Sequence, residues 1–419
     1  MTAKVSAGEI DGKVVAPASK SAMQRYVAAA LLARGESVIS VSSFCDDIMA
    51  ALSIARSLGA GINIRGTNVT IKGGFNPISG EVSCGESGLS ARMFTPIAAL
   101  HNGTVVINGR GSVLKRPLGM IEKPLADLGV SVVTNKGYLP VSVTGPVRGG
   151  KITADGSVSS QFITGLLMAL PCAERDSVLS VINLASKPYI DLTLGILEEF
   201  GIKVVNDNYS SFIIGGNQEY KAGRFSVEGD WSGGAFLLVT GAIGGKAEVS
   251  GLLTGSTQAD RAVLNALELA GANVHLLEES IIVEKSSLRA FEFNLSDCPD
   301  LAPPLAVLAM GCKGRSVLTG TERLLAKESD RGRTLEESLG RIGGKIRNFG
   351  NRIEIEGVER LKGGKACSHN DHRIAMALAS SAVLCDSEVI VEGMECINKS
   401  YPGFVDDFRK LGGKVVISN

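Results

Sequence analysis

Six stretches of the sequence share one layout: a short strand-like segment, a tight polar loop and an apolar helix. They begin at Gly12, Gly80, Gly150, Gly223, Arg289 and Gly364. The spacing is roughly 70 residues, long enough for several packed elements in each copy. A second strand, a second helix and a hairpin follow each stretch, because glycine after a helix is a C-cap signal and alternating residues beyond it predict strands. The sequence therefore predicts six units of order βαβαββ.

The two ends of the chain predict how the units are shared between domains. The sixth unit stops after one hairpin strand, whereas the strand-like residues 4–11 (KVSAGEID) precede the first unit. The simplest completion places this N-terminal strand in the last unit. It predicts two domains of three units each, residues 1–19 with 229–419 and residues 20–228, and 419 residues are enough for two cores.

The helices of the repeat predict which layer lies inside. Runs such as FITGLLMALP and AVLAMG are apolar on every side. Helices of this kind are buried, so the sheets are expected outside and the helices inside each domain. The predicted fold class is α/β, a two-domain inside-out α/β barrel with three units per domain.

Composition excludes several classes of function. Lysine plus arginine and aspartate plus glutamate both number 43, so the chain lacks the basic face that general binding of nucleic acid or anionic membranes needs. Apolar runs such as FLLVTGAIGG are shorter than the ~20 residues of a membrane helix. Eight cysteines without a CxxC pair predict reduced thiols in a cytoplasmic protein. His369 and His372 lack further ligands at metal-site spacing, so we expect no metal.

Basic residues recur at the predicted starts of helices. They lie at or just inside helix N-termini and are Lys20, Arg25, Arg92, Arg116, Lys327, Arg331, Arg373 and Lys399. The positive end of the helix dipole and its free N–H groups make a cation unfavourable there without an anion. Eight such positions predict anionic ligands, and two phosphomonoesters would bring about −1.5 to −2 charges each.

The polar loops carry motifs that together resemble one family. They are APASKSAMQR from Ala16, DGSVSSQF from Asp155, SKPYIDLTL from Ser186, KESDR from Lys327 and NDHRIAMAL from Asn370. With the six units, they make essentially the whole chain similar to the 5-enolpyruvylshikimate-3-phosphate synthase family. That resemblance implies a transferase of the shikimate pathway, which moves the enolpyruvyl group of phosphoenolpyruvate to the 5-hydroxyl of shikimate 3-phosphate through a tetrahedral intermediate. It implies no cofactor, a monomer, and an active site in the cleft between the two domains.

The resemblance also assigns residues to the two substrates. Shikimate 3-phosphate is expected on Lys20, Ser21, Arg25, Ser159, Ser160, Gln161, Ser186, Tyr189, Asp300 and Lys327. Phosphoenolpyruvate is expected on Lys20, Gly88, Arg92, Arg116, Gln161, Arg331, Arg373 and Lys399. Guanidinium forks suit both carboxylate and phosphate, which fits the arginines of the second set.

The resemblance also implies the acid and base groups, which are Asp300 and Glu328, with Lys20 a further candidate. An aspartate with an ordinary pKa of ~3.9 is ionised at neutral pH, which makes Asp300 the expected base and leaves Glu328 as the hypothetical proton donor. Structural roles are the competing interpretation. Helix caps would explain Ser159, Asp300, Asp47 and Asp371, and a salt bridge to Arg331 would explain Glu328.

One loop departs from the family pattern, and two other functions stay open. In CGESGLSARM, Gly88 and Arg92 match the family, whereas Glu86 and Leu89 stand where the family usually has Asn and Thr. Glu86 is expected to pair with Arg92 or Arg116 and to weaken anion binding. Within the fold, the alternative is UDP-N-acetylglucosamine enolpyruvyl transferase, although RGSVLKRP lacks the cysteine of that family. A noncatalytic repeat scaffold is the other alternative, and cations confined to loops argue against it.

Overall fold

The structure is a computed structural model that describes residues 1–418. The helices are α1 (Lys20–Leu32), α2 (Asp46–Ser57), α3 (Gly88–Ala98), α4 (Glu122–Asp127), α5 (Ser160–Ala169), α6 (Lys187–Glu199), α7 (Trp231–Gly244), α8 (Val263–Ala270), α9 (Ala302–Met310), α10 (Arg331–Arg341), α11 (His372–Ser381) and α12 (Phe404–Lys410). Among residues 1–418, no helix is long and apolar enough to span a membrane.

The strands alternate with these helices along the chain. They are β1 (Thr2–Ser6), β2 (Ile10–Val15), β3 (Glu36–Ser40), β4 (Gly61–Arg65), β5 (Asn68–Lys72), β6 (Glu81–Ser83), β7 (Thr104–Asn108), β8 (Ser131–Asn135), β9 (Tyr138–Thr144), β10 (Lys151–Asp155), β11 (Ser177–Ile182) and β12 (Val204–Asp207). The second half adds β13 (Ser211–Ile214), β14 (Arg224–Ser226), β15 (Gly245–Ser250), β16 (Asn273–Leu276), β17 (Ser280–Glu284), β18 (Glu292–Asn294), β19 (Arg315–Thr319), β20 (Lys345–Asn348), β21 (Arg352–Glu356), β22 (Gly364–Cys367), β23 (Val389–Glu392) and β24 (Lys414–Ser418).

The chain divides into two compact units. The central unit is Ala18–Val227, and the terminal unit is Met1–Pro17 together with the chain from Glu228 onward. The central unit contains the sheets β14-β3-β5-β4, β6-β7-β9-β8 and β10-β11-β13-β12. The terminal unit contains β2-β15-β17-β16, β18-β19-β21-β20 and β22-β23-β1-β24. Six four-stranded sheets with intervening helices confirm the predicted α/β class and its six repeats.

Every sheet has the same internal order. An edge strand pairs parallel with the second strand, and the two strands of a hairpin complete the sheet in antiparallel orientation. For example, β10 is parallel to β11, β11 is antiparallel to β13, and β13 forms the hairpin with β12. In the sixth sheet, β1 pairs antiparallel with both β23 and β24. The N-terminal strand therefore occupies a hairpin position that the last repeat lacks.

Two repeats exchange their first strands. Strand β2 opens the first repeat in the sequence, but it pairs with β15 of the fourth repeat. Conversely, β14 opens the fourth repeat and pairs with β3 of the first. Each unit thus has three complete sheets. Two of the six sheets, however, combine strands from the first and the fourth sequence repeats.

Buried helices form the centre of each unit. In the central unit, every residue of α3 is buried, and α5 lies so close to it that a Cβ on Gly165 would stand 2.7 Å from the Met93 carbonyl oxygen. In the terminal unit, α7 and α9 are buried on all sides, which accounts for their uniformly apolar sequences. Strands such as β9 alternate exposed and buried residues, so helices lie inside and sheets outside within each unit.

Candidate active site

Serines fix the starts of the three buried helices of the central unit. Ser19, Ser87 and Ser159 precede α1, α3 and α5, and their hydroxyls accept backbone N–H groups at 3.3, 3.2 and 3.1 Å. Such N-caps satisfy donors that the helix leaves unpaired. The cap interpretation of Ser159 is therefore confirmed, and its role in ligand binding stays a prediction.

Lys20 is the first residue of α1 and lies beside a carboxylate. Its Nζ is 3.0 Å from Asp47 Oδ2, and each of the two side chains is 13% exposed. The expectation that Asp47 caps α2 is wrong, because Cys45 holds the N-cap position and Asp47 lies in the first turn. The chain thus supplies a counter-charge to Lys20, which sits where the dipole of α1 disfavours a cation.

Arg25 is buried in the central unit with an exposure of 1%. Its Nε donates to Thr193 Oγ1 at 2.9 Å and its Nη1 to the Ser21 carbonyl at 2.7 Å. Its Nη2 donates to Thr164 Oγ1 and to the Tyr189 carbonyl, both at 3.3 Å. These acceptors are neutral, and burial lowers the pKa of Arg25 to about 10. A buried cation among neutral acceptors strongly favours the approach of an anion.

Two guanidinium groups lie over the bare α-carbon of Gly88. A Cβ at Gly88 would stand 2.5 Å from Nη1 of Arg116 and 3.2 Å from Nη1 of Arg92. Arg92 also donates from Nη1 to Gln161 Oε1 at 2.9 Å and from Nη2 to the Pro117 carbonyl at 3.0 Å. The structure therefore brings together four residues that the family resemblance assigns to phosphoenolpyruvate. Two adjacent forks at a helix start form a strong site for carboxylate or phosphate.

Glu86 faces the turn that leads to Arg116. Its Oε2 accepts the Ser112 N–H at 3.1 Å, and its carboxyl group packs against Gly111, whose φ of +63° favours glycine. The carboxylate therefore anchors this turn. The expected pairing of Glu86 with Arg92 or Arg116 stays a prediction.

The starts of α5 and α6 supply hydroxyl groups. Ser160 is the first residue of α5 and is buried, as is Ser186 just before α6. Ser186 has a φ of +57°, an uncommon conformation for a residue other than glycine that often marks functional sites. The Tyr189 ring lies in the first turn of α6 with its centroid 6.0 Å from Cζ of Arg25. These residues are the predicted binders of the sugar-like acceptor.

In the terminal unit, the buried Arg331 binds three carboxylates at the start of α10. Its Nε donates to Asp371 Oδ2 at 3.0 Å, its Nη1 to Asp300 Oδ1 at 2.7 Å, and its Nη2 to Glu328. Burial lowers the pKa of Arg331, but the three carboxylates outweigh burial and raise it overall. The salt bridge expected between Glu328 and Arg331 is confirmed.

Asp300 is surrounded by cations. Besides Arg331, Lys327 Nζ lies 3.2 Å from Oδ1 and Arg373 Nη2 lies 3.3 Å from Oδ2. Burial alone would raise the pKa of Asp300, but Arg373, Lys327 and Arg331 together hold it well below its usual value. The expected ordinary pKa is therefore wrong. The expected cap is wrong too, since Asp300 lies inside the 3-10 helix Pro299–Leu301, whose N-cap residue is Cys298.

Arg373 and Lys399 complete the cations of the terminal unit. Arg373 is the second residue of α11, and its N–H donates to the N-cap residue Asp371 at 3.0 Å, which confirms the expected cap. Lys399 ends a 3-10 helix, and its Nζ donates to the Asn370 carbonyl at 2.8 Å. The Lys399 ammonium group and the Arg373 backbone thus both contact the short segment that precedes α11.

The sequence does not predict the contacts of several polar residues in these clusters. Asp47 and Asp371 pair with cations, and Gln24 Oε1 accepts the hydroxyls of both serines at the start of α3, at 3.0 and 2.8 Å. Lys187 begins α6, as Lys20 begins α1, and lies 5.4 Å from the Tyr209 ring centroid. The shared Ser-Lys at the two helix starts is the signal that could have identified Lys187.

Together these groups can bind anions and move protons. The central unit offers arginines and hydroxyls at helix N-termini, which suit phosphate and carboxylate oxygens. The terminal unit offers carboxylates held by cations, and Lys327, whose pKa is lowered by burial although Asp300 opposes this. A lysine with a lowered pKa releases its proton more readily than a surface lysine.

Comparisons with known proteins agree along the whole chain. Residues 5–408 match the family model of EPSP synthase (3-phosphoshikimate 1-carboxyvinyltransferase). The chain is 38% identical over 415 residues to a 3-phosphoshikimate 1-carboxyvinyltransferase of Clostridium perfringens, covering 98% of each protein. It is 38% identical over 410 residues to that of Clostridium kluyveri, covering 97% of this chain and 96% of that protein. The structure is similar to that of EPSP synthase from Acinetobacter baumannii, with a TM-score of 0.84 and 26% sequence identity. The match covers 99% of this chain and 100% of that chain.

Proposed function

The chain belongs to the EPSP synthase family, and we propose that the polar groups of both units act on one pair of substrates. The protein is a transferase with 3-phosphoshikimate 1-carboxyvinyltransferase activity in the shikimate pathway. It transfers the enolpyruvyl group of phosphoenolpyruvate to shikimate 3-phosphate, and phosphate leaves. What we propose concerns which residues bind and which transfer protons.

The observation that carries the proposal is the pair of guanidinium groups over Gly88. A Cβ at this position would stand 2.5 Å from Arg116 Nη1 and 3.2 Å from Arg92 Nη1, so a side chain here would push the guanidinium groups away. Phosphoenolpyruvate carries a carboxylate and a phosphate, which are the two groups that arginine forks bind best. We assign this pair, with Gln161, to phosphoenolpyruvate. Lys20, Arg331, Arg373 and Lys399 are proposed to share its charge.

Shikimate 3-phosphate is proposed to bind at the hydroxyl-rich starts of α5 and α6. Ser159, Ser160 and Ser186 offer oxygens and helix N–H groups for a phosphate, and Tyr189 offers a ring for the carbocycle. Arg25 adds a positive charge beneath them. Asp300 and Lys327 of the terminal unit are proposed to contact the acceptor hydroxyl, where the proton is lost; Ser21 completes the set.

The reaction requires two opposite proton transfers. The 5-hydroxyl loses a proton as its oxygen bonds to C2 of phosphoenolpyruvate, while the methylene carbon gains one and becomes a methyl group. Loss of a methyl proton and departure of phosphate then restore the double bond. We propose Asp300 as the base, because its low pKa keeps it ionised. Bound anions would offset its three cations and raise that pKa toward a useful range.

The proton donor is proposed to be Glu328 or a cation beside it. Glu328 donates only when protonated, and Arg331 opposes this by binding its carboxylate. Burial lowers the pKa of Lys327, although Asp300 opposes this, so Lys327 gives up a proton more readily than a surface lysine and is the rival donor. Lys20 is a further candidate in the central unit. A Glu328→Gln variant with near-normal turnover would exclude the first assignment.

A phosphate-release assay tests the proposed function. We expect phosphate release from phosphoenolpyruvate only when shikimate 3-phosphate is added. Release with UDP-N-acetylglucosamine instead would favour the related transferase, and no release with either would favour a scaffold. A monomer in light scattering and a cytoplasmic location are also proposed, the latter because the eight cysteines are free thiols.

A further inference from the structure

Asp260 is a buried carboxyl group that the proposed reaction does not use. It lies in the 3-10 helix Ala259–Ala262, packed against the start of α7, and is 1% exposed. The Ser232 hydroxyl donates to its Oδ2, while the Ser232 N–H donates to Asp230 at 2.9 Å. Among residues 1–418, no hydrogen-bond partner reaches Asp260 Oδ1. An ionised carboxylate would therefore hold charge on an oxygen that lacks a donor.

Charged groups on three other elements interact electrostatically with Asp260. They are Asp230 before α7, Asp300 in the 3-10 helix before α9, and Arg373 in α11; the Cys298 thiol is also near. On its own element, the Arg261 guanidinium is turned to the Thr254 carbonyl, to which Nη1 donates at 2.6 Å. Arg373 is thus the cation that opposes the negative charge around Asp260.

The surroundings of Asp260 make its charge variable near neutral pH. Burial raises its pKa to about 7, and Asp300 adds to this effect, whereas Arg373 and the Ser232 hydroxyl oppose it. Arg373 feels the same interaction from its side, because Asp300 and then Asp260 raise its pKa against the effect of burial. Protonation of Asp260 therefore removes one negative charge that interacts with Arg373.

We propose that Asp260 is a positioning residue whose proton controls how strongly Arg373 attracts phosphoenolpyruvate. The inference rests on the proposed function, which assigns Arg373 to that substrate. When Asp260 is protonated, its carboxyl group is neutral and more of the positive field of Arg373 acts on the anionic substrate. When Asp260 is ionised, it offsets part of that field and repels the anion.

Linkage gives the sign of the pH dependence. A bound anion raises the pKa of Asp260, so phosphoenolpyruvate binding takes up a fraction of a proton near pH 7. The KM for phosphoenolpyruvate should therefore rise as the pH increases through the pKa of Asp260. Each unit by which the anion raises that pKa corresponds to about a tenfold rise in KM across the transition.

The test compares the wild type with Asp260→Asn and Ser232→Ala from pH 5.5 to 9. The asparagine is neutral and should behave as protonated aspartate at every pH. The ratio of wild-type to Asp260→Asn KM for phosphoenolpyruvate should be near one at low pH and rise to about tenfold above pH 8. Using this ratio cancels the ionisation of the substrate itself. A ratio that stays constant with pH overturns the proposal.

Ser232→Ala provides the second, opposite perturbation. Removing the hydroxyl takes away a hydrogen bond that favours the ionised form, so the transition should move to higher pH while the limiting KM values stay similar. An unmoved transition overturns the proposal even if Asp260→Asn does not fold. Calorimetry in two buffers of different ionisation enthalpy should show proton uptake with phosphoenolpyruvate in the wild type and less in Asp260→Asn; equal uptake also overturns it.

These results separate the inference from the function on which it rests. If the wild type turns over phosphoenolpyruvate and shikimate 3-phosphate but Asp260→Asn keeps the wild-type pH profile, only the role of Asp260 fails. If the wild type releases no phosphate from these substrates, the proposed function fails first.

Discussion

Replacing Gly88 by alanine should damage phosphoenolpyruvate binding selectively. The new Cβ would stand 2.5 Å from Nη1 of Arg116 and 3.2 Å from Nη1 of Arg92. Arg116 must retreat by about 0.9 Å to reach ordinary contact at 3.4 Å, and Arg92 must yield by a few tenths of an ångström. A displacement of about 1 Å at a binding group can cost about 100-fold in rate. We expect the KM for phosphoenolpyruvate to rise about 10- to 100-fold.

The steady-state assay should vary both substrates, because the reasoning predicts an asymmetry between them. The three atoms nearest to the new methyl group belong to Arg116 and Arg92 and not to the hydroxyl residues at the starts of α5 and α6. The KM for shikimate 3-phosphate should therefore change by less than about threefold. Gly195→Ala is the matched control in the same unit. It lies inside α6, and a Cβ there meets nothing within 4 Å. This variant should keep both KM values and gain about 0.5–1 kcal/mol of stability.

A normal phosphoenolpyruvate KM in Gly88→Ala would refute the reasoning. It would mean that the two guanidinium groups can separate without loss, or that they do not bind this substrate. Equal rises in both KM values would instead indicate a general disturbance of α3, which thermal unfolding of the two glycine variants would reveal. The geometry at Gly88 predicts neither result.

Three further substitutions test other contacts. Asp371→Asn keeps a helix cap but removes the negative charge that pairs with Arg331, so the free energy of unfolding measured with denaturant should fall by about 3 kcal/mol. An unchanged unfolding midpoint would count against the ion cluster. Glu86→Gln keeps an acceptor for Ser112 and removes a negative charge, so the KM for phosphoenolpyruvate should fall about two- to fivefold; no change would assign Glu86 to the turn alone. Asp260→Asn should be more stable than the wild type by about 2–4 kcal/mol at pH 8 and equal to it near pH 4, since a raised pKa costs stability as pH rises from about 4 to 7.

Much of the fold follows from local patterns in the sequence. Glycines after helices, alternating strands and all-apolar helices each report on nearby residues, so the six repeats and their buried helices can be predicted. The exchange of β2 and β14 is only implicit in the expected domain boundaries, which separate these two strands from the rest of their repeats. Their partner strands β15 and β3 lie far away in the sequence and have similar half-buried patterns, so local residues do not identify which partner each strand takes.

The candidate site divides in the same way. Cations at helix starts can be found in the sequence, because their positions relative to caps and helices are local. Which carboxylate pairs with which cation depends on how separate elements pack, so the sequence does not predict the pairing of Asp371 with Arg331 or of Asp47 with Lys20. The sequence does not predict the low pKa of Asp300 either, because that pKa arises from cations contributed by different parts of the chain.

Two buried arginines show how the units differ in what they offer a ligand. Arg331 gives its hydrogen bonds to three carboxylates, so most of its field acts on Asp300, Glu328 and Asp371, which it holds in fixed positions. Arg25 gives its hydrogen bonds to neutral oxygens, and burial lowers its pKa to about 10. A buried charge that neutral groups solvate gains most from an incoming anion, because its field is not cancelled within the protein. The central unit is therefore suited to binding phosphate, and the terminal unit to holding carboxylates for proton transfer.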